Sequence, residues 1–96
     1  MLHLNLKKKW FDMILEGKKK EEYRAQGEYW NKRILEKKHS IKHITFSNGY
    51  AKDRRQMIVH VRFIVVGKGY EGWGAEPGKS YIVLTLGDVV DKIRCD

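Results

Sequence analysis

The sequence predicts an α+β fold built on a mostly antiparallel sheet. Three observations lead there. Apolar residues alternate with polar ones in short stretches at both ends and through the middle of the chain, the period-two signature of strands. Helical spacing of apolar residues occurs only in two stretches, both in the N-terminal half. Five or so strands with two helices confined to the N-terminal half mark α+β. At 96 residues the chain is one domain, residues 1–96, which buries about 60–65% of its unfolded surface around a single modest core. Closure of the sheet into a small barrel would hide the edges of its long apolar strands.

In chain order, Leu2, Leu4 and Leu6 alternate with His3 and Asn5, which predicts a half-buried strand. Lys7–Lys9 lead into a helix whose Trp10–Ile14 and Phe11–Leu15 pairs, each four apart, form one apolar stripe. Gly17 suits the residue just past the helix end, where a left-handed conformation is cheap for glycine. The lysines beyond it suit the negative pole of the helix dipole. A strand follows at once. Side chains alternate along it, so Glu21 and Tyr23 face one way and Lys20, Glu22 and Arg24 the other.

After a break at Ala25-Gln26-Gly27, Glu28–Lys38 reads as a second helix, with Trp30 and Ile34 inward and Lys32, Arg33, Lys37 and Lys38 outward. That basic face is either solvated surface or a phosphate-facing wall. Ile41–Ser47 is a strand with Ile44 and Phe46 on one face, closed by an Asn48-Gly49 turn. Tyr50–Arg55 is a basic loop. Met57–Val66 is expected to be the longest strand, with Met57, Val59, Val61, Phe63 and Val65 as its core face. Gly67–Ser80 reads as a glycine-rich loop, Tyr81–Leu86 as a strand, Gly87-Asp88 as a turn and Val89–Ile93 as a last short strand.

Charge narrows the partners. Lys and Arg number 20 against 12 Asp and Glu, a net charge of +8. Residues 1–38 hold 11 basic and 6 acidic side chains. Such a field favours polyanions, nucleic acid above all. Cys95 is the one cysteine, so an internal disulfide is excluded and a reducing, cytoplasmic setting is expected. The N-terminus lacks the continuous apolar run of a secretion signal. No stretch reaches the roughly 20 apolar residues of a membrane span, so a soluble protein without a membrane partner is expected.

Two glycine motifs mislead. Gly67-Lys68-Gly69-Tyr70-Glu71-Gly72 fits G-x-G-x-x-G, but a dinucleotide site needs a helix N-terminus next, and here a further glycine-rich loop and a strand follow. Pro77-Gly78-Lys79-Ser80 resembles the end of a phosphate loop, yet Trp73 holds the place of its first glycine. His39 and His43 stand four apart, which would suit a metal on a helix, but Ile41–Ser47 reads as strand and no carboxylate or cysteine completes a set. No metal and no cofactor are expected.

The spacing Gly17-x-Lys19-x-x-Glu22-x-Arg24 carries the chemistry. It resembles the signature of the ASCH family of small PUA-like β-barrel domains, and the resemblance extends over the whole chain. It implies a PUA-like barrel and a nucleic-acid- or nucleotide-directed cleft built around the motif. The activity it implies is not single: the family includes RNA-binding modules, nucleases, and amidohydrolases acting on N4-acetylcytidine. In that last branch a threonine nucleophile stands where this chain has Glu22.

Taken by themselves, Lys19, Glu22 and Arg24 fit either a surface ladder of ion pairs, each worth at most about 1 kcal/mol, or a shared pocket. In a binding role Lys19 and Arg24 meet phosphate or a base edge while Glu22 orients them. In a hydrolase role these three are the catalytic set. Glu22 is then the general base and Lys19 steadies the anion, with Glu71 or Glu76 as the second carboxylate. Basic and aromatic groups interleave on the loops in the way single-stranded RNA is held. The expected nucleic-acid contacts are Lys19, Lys20, Glu22, Arg24, Tyr50, Lys52, Arg54, Arg55, Lys68, Tyr70 and Trp73. The expected partner is RNA, single-stranded nucleic acid or a modified nucleoside. The alternatives are a ribonuclease or nucleoside amidohydrolase, and a protein-interaction module with a basic surface.

Overall fold

A computed structural model describes residues 1–95. Strand β1 (Leu2–Leu6) leads to helix α1 (Lys8–Leu15), strand β2 (Glu21–Ala25) and helix α2 (Glu28–Arg33). Strands β3 (His43–Asn48), β4 (Gln56–Lys68) and β5 (Ser80–Ile93) complete a five-stranded sheet in the order β1-β3-β4-β5-β2. Only β1 and β3 run parallel; the other three pairings are antiparallel. The α+β reading and the placement of both helices in the N-terminal half are thus met. No helix among the described residues is long and apolar enough to cross a membrane.

Up to Val61, the core is the one the alternation selects. Leu4, Leu6, Ile44, Phe46, Met57, Val59, Ile82, Leu84 and Leu86 cover one face of the sheet, and Phe11, Ile14 and Ile34 pack onto it from the helical segments. A smaller cluster of Tyr23, Val83 and Ala75 covers the opposite face of β2 and β5. Gly17 adopts φ +78°, so α1 ends where glycine escapes the Cβ clash that other residues meet.

Barrel closure is not made by strand pairing: among the described residues β1 and β2 remain the two edges of an open sheet. A side chain joins them instead, because Arg24 Nη2 on β2 donates to the Asn5 carbonyl on β1 at 3.1 Å.

Four local expectations are corrected. The second helix stops at Arg33; Ile34 turns inward at φ −115°, and a 3₁₀ turn, Leu35–Lys37, follows. The apolar face of β4 does not continue past Val61. Between Val61 and Phe63, two steps on β4 oppose one on β5, from Leu86 to Thr85. That bulge inverts the alternation, so Ile64 is buried while Phe63 and Val65 are 59% and 51% exposed. Gly87-Asp88 is no turn. β5 runs through it for 14 residues and is longer than β4. A Cβ on Gly87 would lie 2.8 Å from His60 Nδ1, so the glycine there serves close approach between strands. β4 likewise runs on through Gly67 and Lys68, and a 3₁₀ turn at Glu71–Trp73 interrupts the loop that follows.

Candidate functional site

The register of β2 on β5 decides what the motif does. Glu22 lies opposite Leu84 and Arg24 opposite Ile82, both core residues, and directly paired residues share a face of the sheet. The strand therefore drives a carboxylate toward the core. Burying it alone would cost several kcal/mol. Two cations answer it: Lys19 Nζ lies 3.1 Å from Oε1, and Arg24 Nη1 lies 3.0 Å from Oε2. The three motif side chains do converge, and Glu22 is their hinge.

Lys19 is the more deeply held cation, at 1% exposure. Its ammonium has three protons and three acceptors: Glu22, the Glu21 carbonyl and, at 2.9 Å, the Trp73 carbonyl. The rings of Trp10 and Tyr23 flank it at 5.3 and 4.9 Å. Burial pushes its pKa down from the ordinary lysine value, and the Glu22 charge opposes that shift. Tyr23 adds a second tie to the loop after β4. Its hydroxyl donates to Glu21 Oε1 at 2.7 Å and accepts the Tyr70 backbone N–H at 2.9 Å. Burial raises its pKa well above the usual phenol range. The loop closes tightly over this ring, because a Cβ on Gly69 would stand 2.6 Å from Ala75 Cβ and 2.8 Å from the Tyr23 ring.

Arg24 separates two cavities. On one side a space of about 290 Å³ is lined by Trp10, Glu22, Tyr23, Trp73 and Tyr81 among others. On the other, about 600 Å³ opens between β1 and α2, where His3, Asn5, Trp30, Tyr50 and Arg54 join Arg24 in the wall. The guanidinium lies 5.4 Å from the centre of the Trp30 ring, and its buried Nε makes no hydrogen bond among the described residues. Asn5 shapes the larger cavity by clamping the turn after β3. Its Nδ2 donates to the Gly49 carbonyl at 2.6 Å, and its Oδ1 accepts the Gly49 N–H at 3.4 Å. Gly49, at φ +84°, then delivers Tyr50 at the rim, 88% exposed.

The expected contacts separate accordingly. Glu22, Arg24, Tyr50, Arg54 and Trp73 line the cavities, and Lys19 lies buried beside them. Arg55 points elsewhere: it pairs with Asp12 at 2.7 Å and covers the Phe11 ring at 4.5 Å, tying the loop before β4 to α1. Lys20, Lys52 and Lys68 are exposed and line neither cavity, and Tyr70 packs edge-on against Trp73 at 5.0 Å. The residues missed from sequence are Asn5, His3 and Tyr29, together with Trp30, read there as core. The adjacent aromatics Tyr29-Trp30 at a helix start were the available signal; an asparagine inside a strand was the other.

Chemically, Glu22 is the one carboxylate on either cavity wall, and a cation covers each of its oxygens. Glu76 lies outside, paired with Lys79 at 2.8 Å, and Glu71 is exposed. The arrangement offers aromatic faces, a guanidinium held by Glu22 and Asn5, the further cations Arg54 and Lys7, and one carboxylate with a cation on each oxygen, around a concave surface. No family model matches the chain, and neither a curated protein nor a solved structure matches it.

Proposed function

We propose that this chain is an ASCH-type, PUA-like domain that binds single-stranded RNA, with an unstacked base held in the cavity between β1 and α2. Side-chain closure of the sheet edges by Arg24 supports the barrel-like reading, as does the order of elements around the motif. The observation that carries the binding reading is the wall of the larger cavity, where Arg24, Trp30, Tyr50 and Arg54 meet and no carboxylate takes part in the lining. Aromatic faces stack bases whatever their identity, and a basic rim tracks the backbone. Lys19 and Glu22 act beneath this surface by holding Arg24 in place. Binding is favoured over hydrolysis because the protons of Lys19 and both oxygens of Glu22 are already engaged.

Fluorescence anisotropy with a labelled single-stranded RNA, repeated across a salt series, tests this. Tyr50→Ala is expected to weaken binding by about 1–3 kcal/mol, the worth of one stacked base. Arg54→Ala is expected to lower the salt slope by about 0.7, one phosphate contact on a single strand. Both side chains reach the surface, so melting temperatures should hold. Unchanged affinity in both variants, or none in the parent, would refute the reading. Incubation of the protein with RNA and with N4-acetylcytidine, with and without divalent metal, is expected to give no product.

A further inference from the structure

A second basic cavity, outside the motif, continues the first along β1. It holds about 440 Å³ and is lined by His3, Arg33, Lys37, Lys42 and His43 among others. His3, Tyr29 and Trp30 belong to both cavities, so the two form one trough beside the β1 edge. Its cations come from separate parts of the chain: Arg33 ends α2, Lys37 lies on the 3₁₀ turn, and Lys42 precedes β3. The inward turn at Ile34 brings the first two to the same side. No carboxylate lines the cavity. Arg33, Lys37 and Lys42 also have no acidic partner within 4.0 Å among the described residues, whereas Lys32, on the same helix, is paired with Glu28 at 3.2 Å. Arg33 instead lies over the Tyr29 ring at 4.3 Å, a contact that limits the freedom its fork loses on meeting an anion.

We infer that this second cavity is a phosphate site that takes the terminal phosphate monoester of the strand whose base occupies the neighbouring cavity. The inference rests on the binding reading above and adds an end-group preference to it. Three unpaired cations and two imidazoles facing one hollow suit a dianion better than the single charge of an internal diester. The trough is also short. From Leu2 to Asn5 the strand rises about 10 Å at roughly 3.3 Å per residue, the reach from a base to a phosphate close by on the same strand.

The test compares three uridine hexamers, one bearing a 5′-phosphate, one a 3′-phosphate and one neither, against the parent protein and an Arg33→Ala/Lys42→Ala variant. Both substituted positions are exposed, and a circular dichroism melt checks that the variant folds. The parent is expected to bind one phosphorylated hexamer about tenfold more tightly than the bare one, a single charge-assisted contact. The variant is expected to bind all three alike. Equal binding of all three by the parent overturns the inference while leaving the binding reading intact. An equal loss for all three in the variant also overturns it, because the cations then meet internal diesters. If no hexamer binds, the binding reading itself fails, and the end-group preference falls with it. An NMR titration with uridine monophosphate then judges the bare pocket: amide shifts confined to Arg33, Lys42 and His43 keep a phosphate site there, and their absence removes it.

Discussion

Arg24 on β2 and Asn5 on β1 belong to the two edges of one sheet, yet a 3.1 Å hydrogen bond joins them. The same guanidinium holds Glu22 and covers Trp30. Arg24→Lys keeps the charge but cannot reach Glu22 and Asn5 together with a planar fork. It is expected to destabilise the fold by about 1–3 kcal/mol, and Arg24→Ala by more. Urea denaturation of both variants checks the order.

Lys19→Met removes one cation from a buried carboxylate. A loss of about 3–5 kcal/mol is expected, since the charge left behind is only half compensated. The double variant Lys19→Met/Glu22→Gln should lose less than the sum of the two single changes, because the second substitution removes the stranded charge. Strict additivity in denaturation experiments would mean that the two side chains do not act as a pair.

Tyr23 predicts alkaline behaviour. Its folded pKa lies above the unfolded value near 10 because burial disfavours the phenolate. The stability it contributes is therefore complete below pH 10 and is lost as pH rises past it. Lys19 acts in the opposite sense just below pH 10.5, its folded pKa being the lower one. Tyr23→Phe keeps Lys19, so melting temperatures between pH 9 and 11 should fall less steeply in the variant than in the parent. Phenolate absorbance offers a second check: one of the five tyrosines should ionise only with unfolding.

Gly69→Ala places a methyl group against Ala75 and the Tyr23 ring, whereas Gly67→Ala meets nothing within 4 Å. A cost of about 1–3 kcal/mol is expected for the first from overpacking, and little change for the second. Thermal melts of the pair distinguish a packed loop from a loose one.

The periodicity of Leu2–Leu6, the stripe of α1 and the glycine stop at Gly17 were legible because each is a local rule. So was the convergence of Lys19, Glu22 and Arg24, since strand alternation and one turn suffice to place them. Their burial was not, because it depends on Leu84 and Ile82, some sixty residues away. The phase of β4 past Val61 was illegible for the same reason: a bulge is a property of two strands, and apolar residues continue on both sides of it. Arg55 sits in a basic loop and so points, by local rules, to the ligand, but Asp12, far back in α1, captures it.

That bulge has a colloidal consequence. Beyond Val61, β4 pairs among the described residues only with β5, so its outer border carries Phe63 and Val65 beside open peptide groups. Such a border is a template on which copies of a chain can stack. Mutual repulsion at a charge of +8 keeps copies apart in dilute buffer, and added electrolyte weakens that repulsion. Concentrated samples should accordingly cloud as salt increases, and Phe63→Lys should keep them clear.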